Sequence, residues 1–480
     1  MTNGQQRQTR NDSHHLAGLR SFRRRALCAT VAATAALPVH AQSAPAACQR
    51  PAPPPTVEPP RVDSLALASF DTAVRIIART HFDSAYNGVP WQALADSLRP
   101  EVAAAMRRDV TRRAIRTMLE RLRQSHFALF DAEPPVTSAR EETVDGELGL
   151  DVRWIDGRVV VSHVDAGGPA ARAGVRPGVS LVAVDGCPLT PAVSTMMTRT
   201  PAALVPLRAV AIGRDALEPR EAGAMRLTID TGRTREQLAT VAVQPARLPR
   251  QRARLGGLGT VPFDVESRVA EVAGRRIGVL RFSIWVPAAV AAIDSAVDRL
   301  RTADGIVIDL RGNGGGVGGM VMGLGGHFID SVVSLGTMRQ RGATLRFVTN
   351  PRRVSVAGLA VQPYAGPVAI LVDPLSLSTS EVFAGGMQAV GRARIFGEVT
   401  GGMALPAFSE RLPNGDLLYH AVADFVDADG RRLEGSGVVP DVLVTPTRAA
   451  LLDGRDPVYD RAVEWLTSAA RLRSAGSPRQ

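Results

Sequence analysis

Two clusters of small and polar residues stand where a chain can do chemistry. The first is Ser376-Leu377-Ser378-Thr379-Ser380-Glu381, directly after an apolar strand at 368–372 (VAILV) and opening a helix. The N-terminus of a helix favours an alkoxide or a neighbouring oxyanion. The next residue's N–H can point at a carbonyl oxygen, and a rigid strand fixes the hydroxyl in place. The same residues also suit a purely structural use, with the serines capping the helix and Glu381 completing a capping box for Ser378. The second cluster is Arg311 to Gly316 (RGNGGG), where glycine lets backbone N–H groups come close to a reacting carbonyl. Gly314, Gly316 and Gly319 also trace the outline of a dinucleotide fingerprint. That motif wants an acidic residue about 20 positions further on, and Asp330 comes too early.

A serine nucleophile needs a base. All 57 basic side chains are arginine, so a lysine base, a Schiff-base lysine and a Walker-type phosphate loop are excluded. No G-x-S-x-G, C-x-x-C or H-E-x-x-H occurs. Histidine is the natural candidate, because its ordinary pKa suits proton transfer near neutrality. His81, His126, His163, His327 and His420 follow residue 41, and none lies within four residues of another, which disfavours a multi-histidine zinc site. Ser125-His126 end the third helix of a helical segment, where the ring can face a neighbouring domain. His420, in a strand, and His327, after the glycine loop, remain alternatives; His163 suits local packing.

The elements that must hold these groups fall into regions. Residues 1–41 read as an export leader, with Arg20 and Arg23–Arg25 before a short apolar run from Ala26 to Leu37 and a small-x-small site at Val39-His40-Ala41. The run is too short to span a bilayer, so no transmembrane segment is expected in the mature chain, which would be periplasmic or extracellular. A proline-rich linker occupies 42–61. Apolar residues at helical spacing predict an N-terminal helical domain over 62–135, with Asp109 as the cap of its third helix. Alternating apolar strands with Asp-Gly turns mark 140–246, with an insertion over about 190–232. Strands and helices alternate across 255–450, an α/β core, and 451–480 reads as an amphipathic helix and a loose tail. The fold class expected is multidomain α+β.

Composition sets further limits. The 480 residues carry a formal charge of +11, of which the leader's six arginines and one aspartate account for a large part. The remainder is mixed with acids throughout and makes no nucleic-acid footprint. Beyond the leader only Cys48 and Cys187 remain, which make neither a disulfide framework nor a metal cage.

Over about 62–446 several motifs follow one another in order: VPWQAL, LRQSHFALF, the stretch GELGLDVRWIDGRVVVSHVDAGGPAARAGVRPGVSLVAVDG, DGIVIDLRGNGGG, VDPLSLSTSEVFAGGMQAVGRARIFGEVTGG and LEGSGVVPDV. In these the chain resembles the S41 family of serine peptidases, the C-terminal processing or tail-specific proteases and their tricorn-like relatives. The resemblance implies a PDZ-like domain whose Leu148-Gly149-Leu150 loop receives a peptide carboxylate, and a catalytic core of the ClpP/crotonase-like type. It implies Ser378 as nucleophile. The lysine of the processing branch falls on Met403, so the chain departs from the Ser–Lys pattern and is similar instead to the tricorn-like branch. That branch implies His126 as base, with Ser125 and Glu434 behind it, and the N–H groups of Gly314 or Gly315 and of Thr379 as oxyanion hole. A histidine base implies activity rising through about pH 6–7. The expected substrate is an unfolded or flexible polypeptide; no metal or organic cofactor is implied, and self-assembly through the helical domain stays open. A non-catalytic peptide-binding module on this fold, or a small-acyl hydrolase, is the competing expectation.

Overall fold

The computed structural model describes residues 62–132, 146–200, 202–219, 223–232, 238–246, 248 and 250–476; the expected leader, linker and Cys48 lie outside the described residues. The helical stripe near the N-terminus forms α1 (Ala66–Thr80), α2 (Trp91–Ala105) and α3 (Arg108–Arg121). Phe70, Ile77, Trp91, Val102, Ile115 and Met118 are buried in one cluster between them. Each such side chain removed from water contributes about 1.5–3 kcal/mol. Asp109 does not cap α3. It lies inside the first turn, paired with Arg107, which itself occupies the N-cap. Beyond α3 the chain kinks through Arg123 and His126, both at positive φ, into β1 (Ala128–Phe130).

The alternating stretch gives β2 (Leu150–Ile155), β3 (Arg158–Val164), α4 (Pro169–Arg172), β4 (Ser180–Val184), β5 (Cys187–Pro188), α5 (Thr190–Arg199), α6 (Val205–Ala216), β6 (Met225–Asp230) and β7 (Leu238–Val243). They make an antiparallel sheet in the order β2-β3-β4-β6-β7, with β5 added to β4. Both residues of each Asp-Gly turn, at 156–157 and 185–186, take positive φ. This is the twist that tight hairpin turns demand. The lengthened stretch 190–232 supplies α5, α6 and also β6, a strand within the sheet between β4 and β7.

The remaining elements are β8 (Gln251–Arg254), β9 (Thr260–Phe263), β10 (Val265–Val272), β11 (Arg275–Phe282), α7 (Val290–Leu300), β12 (Gly305–Asp309), α8 (Met320–Gly326), β13 (Ser334–Gln340), β14 (Ala343–Val348), β15 (Val368–Val372), α9 (Thr379–Ala389), β16 (Arg394–Gly397), β17 (Ala407–Arg411), β18 (Leu417–Ala421), β19 (Asp424–Asp427), β20 (Val442–Leu443), α10 (Arg448–Leu452) and α11 (Pro457–Gly476). A central sheet runs β10-β11-β12-β15-β16-β20, parallel from β11 onward. Every residue of β12 and β15 is buried, as strands covered on both faces must be. Ile293, Val297, Phe383 and Met387 from α7 and α9 join one core cluster. Val458, Ala462, Val463 and Leu466 of α11 pack with Ile277, Val307, Leu371 and Phe396 in another, and the helix itself runs on to 476. Among the described residues no helix is long and apolar enough to cross a membrane.

Several attachments tie the helical region to this core. β1 pairs with β18 in the small sheet β1-β18-β17. Arg112 of α3 grips Asp416 with two hydrogen bonds of 2.9 and 2.6 Å, and Asp416 is wholly buried.

Candidate active site

The strand–helix junction after β15 places four hydroxyls together, and their surroundings separate them. Ser376 Oγ donates to the Leu310 carbonyl at 2.8 Å. Ser380 Oγ donates to Asn313 O and accepts from Trp285 Nε1, both at 2.9 Å. Thr379 Oγ1 donates to Gly316 O at 2.8 Å. All three residues are buried. Ser378 is the partly exposed member, and it sits at the N-cap of α9 with φ 54° and ψ −117°. A non-glycine residue there carries about 1–3 kcal/mol of backbone strain, so its neighbours must hold it.

Glu381 does much of that holding. Its carboxylate, fully buried, accepts from the N–H of Ser378 (3.0 Å), Met403 (2.9 Å) and Gly402 (2.8 Å) and from Thr400 Oγ1 (2.6 Å). Burial pushes its pKa up to about 7 against the pull of those four donors. Ser378 N–H also donates to the Met403 carbonyl at 2.9 Å. The capping-box reading of Glu381 is therefore correct in geometry, and the same contacts fix where the Ser378 hydroxyl starts.

The glycine loop lies directly against this serine. A Cβ on Gly315, whose φ is 96°, would come within 2.6 Å of Ser378 Cβ and 3.0 Å of Thr379 N. Asn313 braces the loop: its Nδ2 donates to Phe282 O at 2.9 Å, and its carbonyl accepts from Leu377 N–H at 3.1 Å. Its Oδ1 accepts from the Gly315 N–H at 3.0 Å, so that donor of the expected oxyanion hole is already engaged. Gly314 is exposed, with open space where a side chain would be.

His126 and its two expected companions form a continuous relay. Glu434, 9% exposed, accepts from Ser125 N–H and from Ser125 Oγ, each at 2.8 Å, and from Ala404 N–H at 3.0 Å. Ser125 Oγ also meets His126 Nδ1 at 2.7 Å. A carboxylate only accepts and a hydroxyl has one proton. With the Ser125 proton given to Glu434, Nδ1 must carry the proton of the second contact. That leaves Nε2 with its lone pair, the tautomer a general base needs. Burial lowers the imidazole pKa to about 4. The ring is thus neutral well below the pH 6–7 range expected for an ordinary histidine, and the acid limb of any activity depending on it moves down accordingly.

The relay and the serine share the segment 402–404. Met403 O takes the Ser378 N–H, while the adjacent Ala404 N–H goes to Glu434. Ser378, His126, Ser125 and Glu434 are thereby linked by consecutive backbone and side-chain bonds. The other histidines are committed elsewhere. His420 contacts Thr80 Oγ1 and Glu410, each at 3.2 Å, on the helix-facing side of β18. His327 is wedged between Asp294 (2.8 Å) and Arg301 (3.0 Å). His163 touches Asp165 at 3.2 Å. Leu148 belongs to the core of the β2–β7 sheet, its carbonyl accepting from Ala170 N–H, and Gly149 O accepts from Asp165 N–H; Leu150 pairs with Val164. A cavity of about 140 Å³ lies between β2–β3 and the ends of the core strands, lined by Arg153, Arg281, Arg311, Asp373 and Glu398 and by neither Ser378 nor His126. Sequence reasoning missed the backbone role of 402–404 and the aromatic neighbour of His126, Tyr419. Only the alternation Leu417-Tyr419-Ala421 hinted that this tyrosine turns away from the helices.

Residues 276–444 match the model of peptidase family S41. A putative tricorn protease homolog 2 of Streptomyces coelicolor is 25% identical over 413 residues, covering 82% of this chain but 32% of that protein, so the chain spans about a third of that relative's length. A carboxyl-terminal-processing protease of Synechocystis is 23% identical over 414 residues, covering 84% of this chain and 87% of that protein. Among solved structures, a photosystem II D1 C-terminal processing protease superposes with a TM-score of 0.53 at 23% identity, covering 79% of this chain and 93% of the other. Mature CPAF complexed with lactacystin gives 0.52 at 15%, covering 86% and 98%. The matched segment is thus similar to peptidase family S41, and the fold is one that a solved C-terminal processing protease shares.

Proposed function

We propose that the chain is a serine endopeptidase acting on unfolded or flexible polypeptides, with Ser378 as nucleophile and His126 as general base. The observation that carries this reading is the unbroken run of hydrogen bonds from the Ser378 N–H through residues 403–404 and Glu434 to Ser125 and His126 Nδ1. In the reaction Ser378 Oγ adds to the peptide carbonyl as its proton passes to His126 Nε2. The imidazolium then gives that proton to the leaving amine, and water repeats the cycle on the acyl-enzyme. Ser125 and Glu434 hold the imidazole in its Nδ1–H form and stabilise the imidazolium. The N–H groups of Thr379 and Gly314 face the growing oxyanion, while Gly315 leaves room for it.

In the same reading the β2–β7 sheet is a PDZ-like unit that guides substrate C-termini by way of residues 148–150, the central sheet is a ClpP/crotonase-like core, and the chain is exported to the periplasm or beyond. The test is a carbonyl-reactive serine probe. Labelling of Ser378 that disappears in His126→Ala supports the reading. Labelling that survives unchanged in that variant overturns the base assignment.

A further inference from the structure

Tyr419 stands at the middle of β18, where strand alternation sends Leu418 and His420 to the helices and Tyr419 to the opposite face. Its ring meets the His126 imidazole at a centroid distance of 5.7 Å with the planes 40° apart. Phe130 packs on the same tyrosine at 6.3 Å and 57°. Across the sheet Tyr419 is paired with Ala128 on one side and Ser409 on the other, so two small residues flank the large ring. The imidazole needs such a neighbour. His126 sits at φ 61°, and the bond from Nδ1 to Ser125 fixes one edge of the ring, leaving its tilt to packing.

We propose that Tyr419 is a positioning residue for His126: its ring braces the imidazole in the orientation set by Ser125 and keeps water from it. The imidazole then faces Ser125 on its own segment, the Tyr419 phenol on β18 and, through Ser125 Oγ, the Glu434 carboxylate. Burial raises the phenol's own pKa, so the brace is uncharged over the whole working range. An uncharged wall against the ring disfavours its protonated form, and desolvation is the cause of the low His126 pKa. This inference rests on the serine–histidine reading above.

The test uses the full chain carrying Tyr419→Phe, Tyr419→Leu or Tyr419→Ala, assayed on a denatured, fluorescence-quenched protein from pH 4 to 8. The His126 ring is followed in parallel by NMR titration in a Ser378→Ala background, which needs no activity. Tyr419→Phe keeps the wild-type acid limb. Tyr419→Ala moves that limb and the NMR midpoint upward by about one to two pH units, toward the ordinary histidine value. It also lowers kcat about tenfold or more, with KM little changed. An unmoved midpoint together with kcat within about twofold of wild type overturns the inference. Should the alanine variant lose cooperative unfolding, the leucine variant, which keeps an apolar wall but no ring face, decides on kcat alone, and a kcat within about twofold of wild type overturns the inference. Serine-dependent turnover that survives His126→Ala defeats the underlying reading instead. A dead His126→Ala beside an unaffected Tyr419→Ala defeats this inference alone.

Discussion

Glu434→Gln exchanges one oxygen for an NH2 group and leaves the volume of the relay intact. The native carboxylate uses one oxygen for Ser125 N–H and the other for both Ser125 Oγ and Ala404 N–H. Glutamine has a single acceptor oxygen. Placed toward Ser125 Oγ, it turns its NH2 against Ser125 N–H, a donor facing a donor, which loses about 1–3 kcal/mol. Placed the other way, the NH2 meets Ala404 N–H and donates to Ser125 Oγ, and the serine's proton then turns to His126 Nδ1. The imidazole proton is driven to Nε2, and the base is lost. In both arrangements the charge that stabilises the imidazolium is gone. The expected result is a fall in kcat of about 10²–10⁴ with KM within about threefold, the pattern of a group that acts on the transition state. Steady-state hydrolysis of a denatured protein reads this directly, with a thermal melt to show that the variant is folded. If Glu434→Gln keeps kcat within about threefold of wild type while Ser378→Ala and His126→Ala are dead, the relay argument is wrong.

Gly315→Ala drives a methyl group to 2.6 Å from Ser378 Cβ at a φ of 96°, so loss of probe labelling is expected with destabilisation of about 1–3 kcal/mol in a urea melt. The acid limb of kcat/KM is expected near pH 4, since the free-enzyme imidazole titrates at about that value; a midpoint near 6.5 would show a solvated ring. The folded pKa of His126 lies below its unfolded value, so the unfolded chain binds more protons between about pH 4 and 6.5. Its contribution to stability is therefore complete above that window and falls by up to about 3 kcal/mol as the pH drops through it, measurable as the difference in urea-melt pH dependence between wild type and His126→Gln. Asp416→Ala leaves Arg112 beside an empty carboxylate site and is expected to destabilise by about 3–5 kcal/mol, read from the urea midpoint.

Much of the core was legible from sequence because its rules are local. The strand at 368–372 coincides with β15, and a helix opens after it, at Thr379, as the sequence predicts. The two carboxylates were harder. Glu381 reads as a capping residue, and nothing in its neighbourhood says that Thr400, Gly402 and Met403 fold back onto it. Asp109 shows the opposite failure: a good capping residue two positions past the N-cap, engaged by Arg107. The low His126 pKa was equally hidden, because desolvation depends on what packs against the ring and not on the residues beside it in sequence. Ser378 and His126 both break the local backbone rule for non-glycine residues, with φ of 54° and 61°. Such conflicts concentrate where function overrides local preference.

Residues 402–404 act as one beam from which both halves of the chemistry hang, Glu381 and Ser378 from Met403, Glu434 from Ala404. All of these attachments are to the main chain. The residue type at 403 can therefore drift, whereas adding or deleting a single residue in the beam would pull hydroxyl and imidazole out of step in one event.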